Sequence, residues 1–334
     1  MKKLFISMLA VATLASCAKD EVIVSDPGEL IGFNSFVENS TRAAAADVTD
    51  PSYSTTTGKG VALTQFNVYG AVNGVNIFDG DNVTKGEAAY SSAWTCDGAK
   101  QYWINGADYE FVAVVDGNKK VGETVITSTT TNASGIPTAI TYNSDGATDL
   151  LCARVERLDN TDTSVVPFEF SHLLSKVKFS VKNTTEAAAA NYRIVLTSAQ
   201  ITGALASNTF NVSGVNGAWT AVTNGYTPKT FTLENLEINS GATEYHPTEL
   251  LLLPGVNVNV IVTAKVEAKD ARDEWTEVST MSKTFNNVLG EGTLVANNAY
   301  HFAVSLGIGT EIQFTATTMD EWADGDGADE TPLQ

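Results

Sequence analysis

Histidine is scarce in this sequence, three residues in 334, and cysteine and methionine are nearly as rare, with three and four. His172, His246 and His301 fall on separate strand or turn patterns, and no HExxH, GxSxG, P-loop or CxxC spacing occurs. Metal-assisted hydrolysis, nucleophilic triads and phosphate-loop chemistry therefore have no residues to stand on. A lone histidine beside a hydrophobic strand is ordinarily a packed or hydrogen-bonded side chain. Basic residues are also short: 20 Lys and Arg face 39 Asp and Glu, a formal charge of −19. Such a field repels phosphate backbones, which argues against nucleic acid and anionic membrane surfaces as partners. The many carboxylates include no pair that stands out as a glycosidase dyad. The acidic run at residues 324–330, DGDGADE, lacks the twelve-residue spacing of a calcium loop and reads as a solvated terminus. The sequence thus reads as a non-enzyme, with no catalytic residue, metal ligand or cofactor assigned.

Long amphipathic helical patterns are nearly absent too. The one Ala-rich stretch, residues 186–190, is short and gives way at once to a strand pattern. What fills the chain is Thr, Val, Asn, Ala and Gly in short alternating runs bounded by turn residues, the signature of an all-β fold. Residues 61–72 alternate with Leu63, Phe66 and Val68 as core positions, and Asn73-Gly74 marks a turn after them. Residues 101–104 and 109–115 flank Asn105-Gly106, a hairpin signal with aromatics on both arms. Residues 168–182, FEFSHLLSKVKFSVK, place Phe168, Phe170, Val177, Phe179 and Val181 inward, with a bend near His172. Further strands recur to residue 317, at a spacing that suits β-sandwiches. Length suggests two domains, 43–166 and 167–334, with the boundary at Pro167. The five tryptophans could form a carbohydrate-stacking platform, though core and edge packing is their commoner use.

The only long apolar run is at the start. Lys2 and Lys3 precede an apolar core at residues 4–14, too short for a membrane span and arranged as a secretory signal peptide. Leu14-Ala15-Ser16-Cys17 resembles the lipobox of bacterial lipoproteins, in which the cysteine is diacylated and becomes the mature N-terminus. Residues 1–17 are therefore expected to be the signal ending at a lipidated Cys17, and Ala18-Lys19-Asp20-Glu21 resembles a signal for export to the outer face of the outer membrane. Acyl chains contribute about 0.8 kcal/mol per buried methylene, so two or three of them anchor firmly. Cys96 and Cys152 remain; export permits a disulfide between them, and two buried free thiols are the other reading.

Residues 30–43, LIGFNSFVENSTRA, organise the reading of the rest. Ile31, Phe33, Ser35 and Val37 fall on one face of a strand and Gly32, Asn34, Phe36 and Glu38 on the other. The strand ends in a polar run and Arg42, followed by Ala43 to Ala46 and then a Ser/Thr-rich linker of exposed composition.

These features, with the segment 168–182, the turn Leu250-Leu251-Leu252-Leu253-Pro254 and the pattern Ile312-Gln313-Phe314 through Glu321-Trp322, resemble the fimbrillins, the type V pilin group that includes the Mfa-like proteins. The resemblance implies two tandem transthyretin-like Greek-key β-sandwich domains and a fimbrial structural subunit with a role in adhesion. It implies a lipoprotein precursor at the outer membrane, cut between Arg42 and Ala43 by an arginine-specific surface protease, so that residues 18–42 act as a removable propeptide strand carrying Ile31, Phe33, Phe36 and Val37. It further implies a self-polymer in which a C-terminal donor strand, residues 311–318 with Ile312, Phe314 and Ala316, fills the vacated groove of another subunit. An anchor or tip pilin, or a monomeric surface lipoprotein that binds glycan or host protein, is the competing expectation.

Overall fold

The computed structural model of the chain describes residues 28–37, 51–54, 59–85, 94–117, 125–185, 191–213, 217–223, 225–239, 241–319 and 330–332. Among the described residues the regular elements are all strands. The first half contains β1 (Phe33–Val37), β2 (Pro51–Ser54), β3 (Lys59–Ala62), β4 (Gln65–Val72), β5 (Val75–Lys85), β6 (Trp94–Cys96), β7 (Ala107–Asp116), β8 (Ile126–Thr131), β9 (Pro137–Asn143), β10 (Leu150–Asn160) and β11 (Val166–His172). The second half contains β12 (Ser175–Asn183), β13 (Tyr192–Leu205), β14 (Ser207–Asn211), β15 (Ala218–Trp219), β16 (Pro228–Ile238), β17 (Thr243–Tyr245), β18 (Leu250–Leu252), β19 (Asn259–Lys269), β20 (Trp275–Phe285), β21 (Ala299–Leu306), β22 (Gln313–Met319) and β23 (Glu330–Pro332).

The first sheet has seven strands in the order β1-β11-β10-β7-β4-β5-β6. Its two end strands, β1 and β6, come together, so the sheet curls back toward itself. Two sheets carry most of the second half, β17-β12-β21-β22-β23 with β18 also on β12, and β16-β13-β19-β20. The chain passes from the first sheet to these between β11 and β12, at Leu173 and Leu174, where the expected bend near His172 occurs. A fourth sheet, β15-β14-β9-β8, takes strands from both sides of that crossing, with Ser207 to Asn211 paired against Asn143 to Ala139.

Alternation explains how one sheet serves two cores. On β4 and β7, Phe66, Val68, Phe111, Ala113 and Val115 point into an aromatic cluster enclosed by the curl, with Phe78, Trp103, Tyr109, Phe168 and Phe170. The intervening Tyr69, Ala71, Val112 and Val114 point the other way, into a larger aliphatic cluster shared with the second half. Residues 111–115 are consequently buried without a break, as strands covered on both faces are. The β4–β5 turn is Asn73-Gly74, both in the left-handed region that a two-residue hairpin of this kind requires, with φ of 48° and 77°.

Residues 101–104 depart from the expected hairpin. They do not pair with β7; instead the Ile31 amide donates to the Gln101 carbonyl at 2.9 Å and the Trp103 amide to the Glu29 carbonyl at 3.0 Å. The aromatics decide this: Trp103 turns its ring inward against Tyr109, centroids 4.7 Å apart, which leaves its backbone free to meet the segment before β1.

Two expectations follow from the packing. At Gly70 a β-carbon would lie 2.8 Å from the Phe78 ring and 2.9 Å from that of Phe111. Gly70→Ala should therefore destabilise by about 1–3 kcal/mol in chemical denaturation, and an unchanged midpoint would mean that the rings slide aside. Cys96 and Cys152 are both free. Burial, only partly opposed by the Ala153 amide and Arg154, pushes the Cys152 thiol up to about 12 from an ordinary 9.0. Above pH 9 the unfolded chain loses this proton while the folded chain keeps it, so its contribution to stability falls as pH rises. At pH 8 iodoacetamide should label Cys152 of the native protein far more slowly than that of the denatured chain, because the folded state keeps the thiol protonated; native labelling at the unfolded rate would contradict the raised pKa.

Candidate functional site: the first strand and its groove

β1 is joined to the first sheet by hydrogen bonds to β11 on one side and, through the residues just before it, by the pairing with residues 101–103 on the other. Its partner strand runs parallel, in the register Phe33 to Val166, Asn34 to Pro167, Ser35 to Phe168, Phe36 to Glu169 and Val37 to Phe170. The Val166 amide adds a bond to the Gly32 carbonyl at 2.8 Å, and Leu30 bridges Tyr102. The strand thus closes the seam of the curled sheet.

Ile31, Phe33 and Ser35 are buried, as their alternation predicts. Phe33 is the centre of the contact. Its ring stacks on Phe168 with centroids 5.8 Å apart, meets Phe78 edge-on at 5.3 Å and Phe111 edge-on at 6.1 Å. Burying Ile31 and Phe33 contributes about 1.5–3 kcal/mol each, and each aromatic pair about 0.5–1.5 kcal/mol more. Polar contacts fix the mouth of the groove. Arg157 donates to the carbonyls of Asp162, Ser164 and Val165, each at 3.0 Å, and lies over the Trp103 ring at 4.8 Å. Thr163 Oγ1 donates to the Glu29 carboxylate at 2.6 Å. Phe168 was legible as a core residue of its own strand; that it, Phe78 and Phe111 form the walls around Phe33 has no sequence signal, because the contacts join segments far apart in the chain.

Of the other expected site residues, Phe36 and Val37 continue the β1 ladder, while Cys17, Arg42 and Ala43 lie outside the described residues. Ile312, Phe314 and Ala316 sit in the second half. There β22 pairs antiparallel with β21, from Ala299 opposite Met319 to Ser305 opposite Gln313, and carries β23 on its other edge. Ile312 and Ala316 are buried and Phe314 is half-buried, stacked on Phe285 at 5.1 Å and edge-on to Phe302 at 5.6 Å. Lys283 Nζ donates to the Ile312 carbonyl at 3.0 Å and to the Glu311 carboxylate, which holds that carboxyl below its usual range. Within one chain, then, the two strands of interest occupy different sheets.

The histidines are engaged singly: His172 Nδ1 with the Asp149 carboxylate at 2.7 Å, His301 Nε2 with the Ser180 hydroxyl at 2.6 Å, and His246 with the Thr248 and Glu234 carbonyls at 3.3 and 3.2 Å. Among the described residues no group of three or more His, Cys, Asp or Glu converges as a metal site.

Solved structures share this architecture. A fimbrial protein from Bacteroides vulgatus superposes with a TM-score of 0.59 at 14% identity, covering 89% of this chain and 100% of its own. Candidate cell adhesion proteins from Bacteroides ovatus and Bacteroides uniformis give TM-scores of 0.52 and 0.51, both at 15% identity, over 90% and 89% of this chain and 99% and 100% of theirs. At these identities the likeness is one of fold. No curated protein matches the chain. A family model described as fimbrillin-like matches residues 41–322, from just after the first strand to the far side of β22, and the chain belongs to that fimbrillin-like family.

Proposed function

We propose that this protein is a structural subunit of a cell-surface pilus, built by exchange of strands between copies and serving adhesion. The family and the fimbrial and adhesion proteins of the same fold support the coarse statement. The finer reading is that the precursor is exported as a lipoprotein acylated at Cys17, that a surface protease cuts after Arg42, and that residues 311–318 of another copy then take the place of β1. Residues 43–166 and 167–334 would form the two lobes of the mature subunit.

The observation that carries this reading is a likeness between the two strands. The groove holds Ile31-Gly32-Phe33-Asn34-Ser35, with Ile31, Phe33 and Ser35 inside. The candidate donor reads Ile312-Gln313-Phe314-Thr315-Ala316, which presents an isoleucine, a phenylalanine and a small residue at the same spacing and in the same chain direction. Laid parallel to β11, it would set Phe314 among Phe78, Phe111 and Phe168 and place Ala316 where Ser35 lies. Exchange of this kind swaps like contacts for like, so it has little drive while β1 is in place. Once β1 is gone, the groove exposes unpaired backbone and a strip of aromatic core, and a strand from outside satisfies both. Each subunit would present its groove at one place and, once released from β21 and β23, its β22 segment at another; such a heterologous contact does not close on itself and grows as a fibre.

Protein recovered from cell surfaces should begin at Ala43, carry no lipid, and run as a ladder of high-mass species that only strong heating in detergent dissolves. A monomer that begins at acylated Cys17 would overturn the stalk-subunit reading. A second measurement isolates the strand: a synthetic peptide of residues 311–319, added as purified precursor is cut by an arginine-specific protease, should cap the groove and suppress the ladder, whereas the same peptide with Phe314→Asp should not. Equal effects of the two peptides would separate assembly from this groove.

A further inference from the structure

Twelve large hydrophobic side chains are exposed among the described residues, and six of them stand along one end of the first sheet: Leu30, Val75, Tyr102, Ile104, Leu158 and Val165. Their exposure runs from 38% for Tyr102 to 71% for Leu158. Backbone contacts gather them. Leu30 bridges Tyr102, the Ala107 amide donates to the Ile104 carbonyl at 3.3 Å, and the Gly106 amide to the Asn160 carbonyl at 2.7 Å, just past Leu158. Arg157 reaches the Val165 carbonyl from the same end, and the Asn73 amide, two residues before Val75, donates to the Asp108 carbonyl at 2.7 Å. Single exposed apolar side chains are ordinary, but half of them along one sheet end mark an interaction surface.

We propose that this end docks a second copy of the chain, through the turn between β21 and β22 of the subunit that supplies the donor strand, a contact that rests on the strand exchange described above. Chain direction and reach select that partner. With Ile312 in the place of Ile31 and the donor parallel to β11, residues 309–311 lie where residues 28–30 lay, at this end of the sheet and not the other. β21 ends at Leu306, six residues before Ile312. Six residues span at most about 20 Å, so the β21 end of the donor subunit is held against the recipient's sheet end. The approach has the same shape in both strands: Gly309, three residues before Ile312, has a φ of 71°, and Gly28, three before Ile31, one of 66°.

The two surfaces match in kind. Asp108, Asp159 and Asp162 are exposed around the first, while Arg157 beside them is turned inward to the carbonyls of residues 162, 164 and 165 and to the Trp103 ring. At the donor's turn Ile308 is exposed, and its amide meets the Thr185 hydroxyl at 3.1 Å, three residues past exposed Lys182. Lys283 stands there too, and its carboxylate partner Glu311 leaves with the donor strand. An apolar centre with an acidic rim thus faces an apolar tip with basic neighbours. Cleavage after Arg42 takes Leu30 away and leaves the other five apolar side chains of the patch.

The test follows the precursor as an arginine-specific protease cuts it, with two readouts. Binding of a labelled peptide of residues 311–319 reports the groove alone, and growth of the high-mass ladder needs whole subunits. Leu158→Ser, Ile104→Ser and Ile308→Ser change exposed side chains. Each should leave the precursor's thermal midpoint and the peptide's affinity unchanged and slow the ladder about tenfold, the equivalent of one large apolar side chain left in water. Leu158, the most exposed, carries the test where an isoleucine variant misfolds. Ladder growth at the wild-type rate in all three variants would overturn the docking contact and leave strand exchange standing. A wild-type chain that forms no ladder would overturn this contact, and one that also refuses the peptide would overturn strand exchange with it. A precursor midpoint lowered by both Leu158→Ser and Ile104→Ser would assign the cover of the patch to the chain's own residues before Gly28, which overturns the contact as well.

Discussion

The stacking of Phe33 against Phe168, with Phe78 and Phe111 closing on its edges, is the contact on which the architecture of the first half depends. β4 and β7 are buried on both faces, and a sheet with two buried faces has to be covered twice. The larger aliphatic cluster, to which β8 and β9 contribute, covers one face. The other is enclosed by the sheet's own curl, and a curled sheet needs something at its seam, which is where β1 lies between β11 and residues 101–103. The strand that completes the aromatic core is also the one at the sheet's end, and every other strand of the described residues follows it in the chain. Its loss would leave the order of all other strands intact and open the core along one line.

Much of this was legible from residues. Alternation in residues 61–72 picked out Leu63, Phe66 and Val68, and all three are buried. The stretch 168–182 yielded the inward positions of β11 and β12 and the bend between them, because a period of two survives wherever one face is apolar. Ile31 and Phe33 were legible for the same reason. The partner of Ile31 was not. Gln101-Tyr102-Trp103-Ile104 and Tyr109 flank a turn and look like the arms of a hairpin, yet the backbone of the first arm pairs with residues 29–31, some seventy positions away. Period and turn chemistry are local quantities, and which two edges meet is settled by the closure of a core that no window of sequence contains. The apolar patch at the sheet's end was hidden for the same reason: Tyr102, Leu158 and Val165 belong to separate segments, and only the pairing of residues 29–31 with 101–103 and of β7 with β10 brings them to one end.

The aromatic core and the larger aliphatic cluster are two sides of one strand. Along β10, Leu151 and Ala153 point into the first and Leu150 and Cys152 into the second, as alternation demands. β10 is paired with β7 along almost its whole length, from Leu150 opposite Asp116 to Asn160 opposite Ala107, while β11 meets it at Leu151 and Cys152 alone. The two partners divide the work: β11, bound to β1, takes up any change at the seam, and β7 holds β10 in place. A strand of the same shape replacing β1 would therefore act on β11 and leave the far face of β10 where it was.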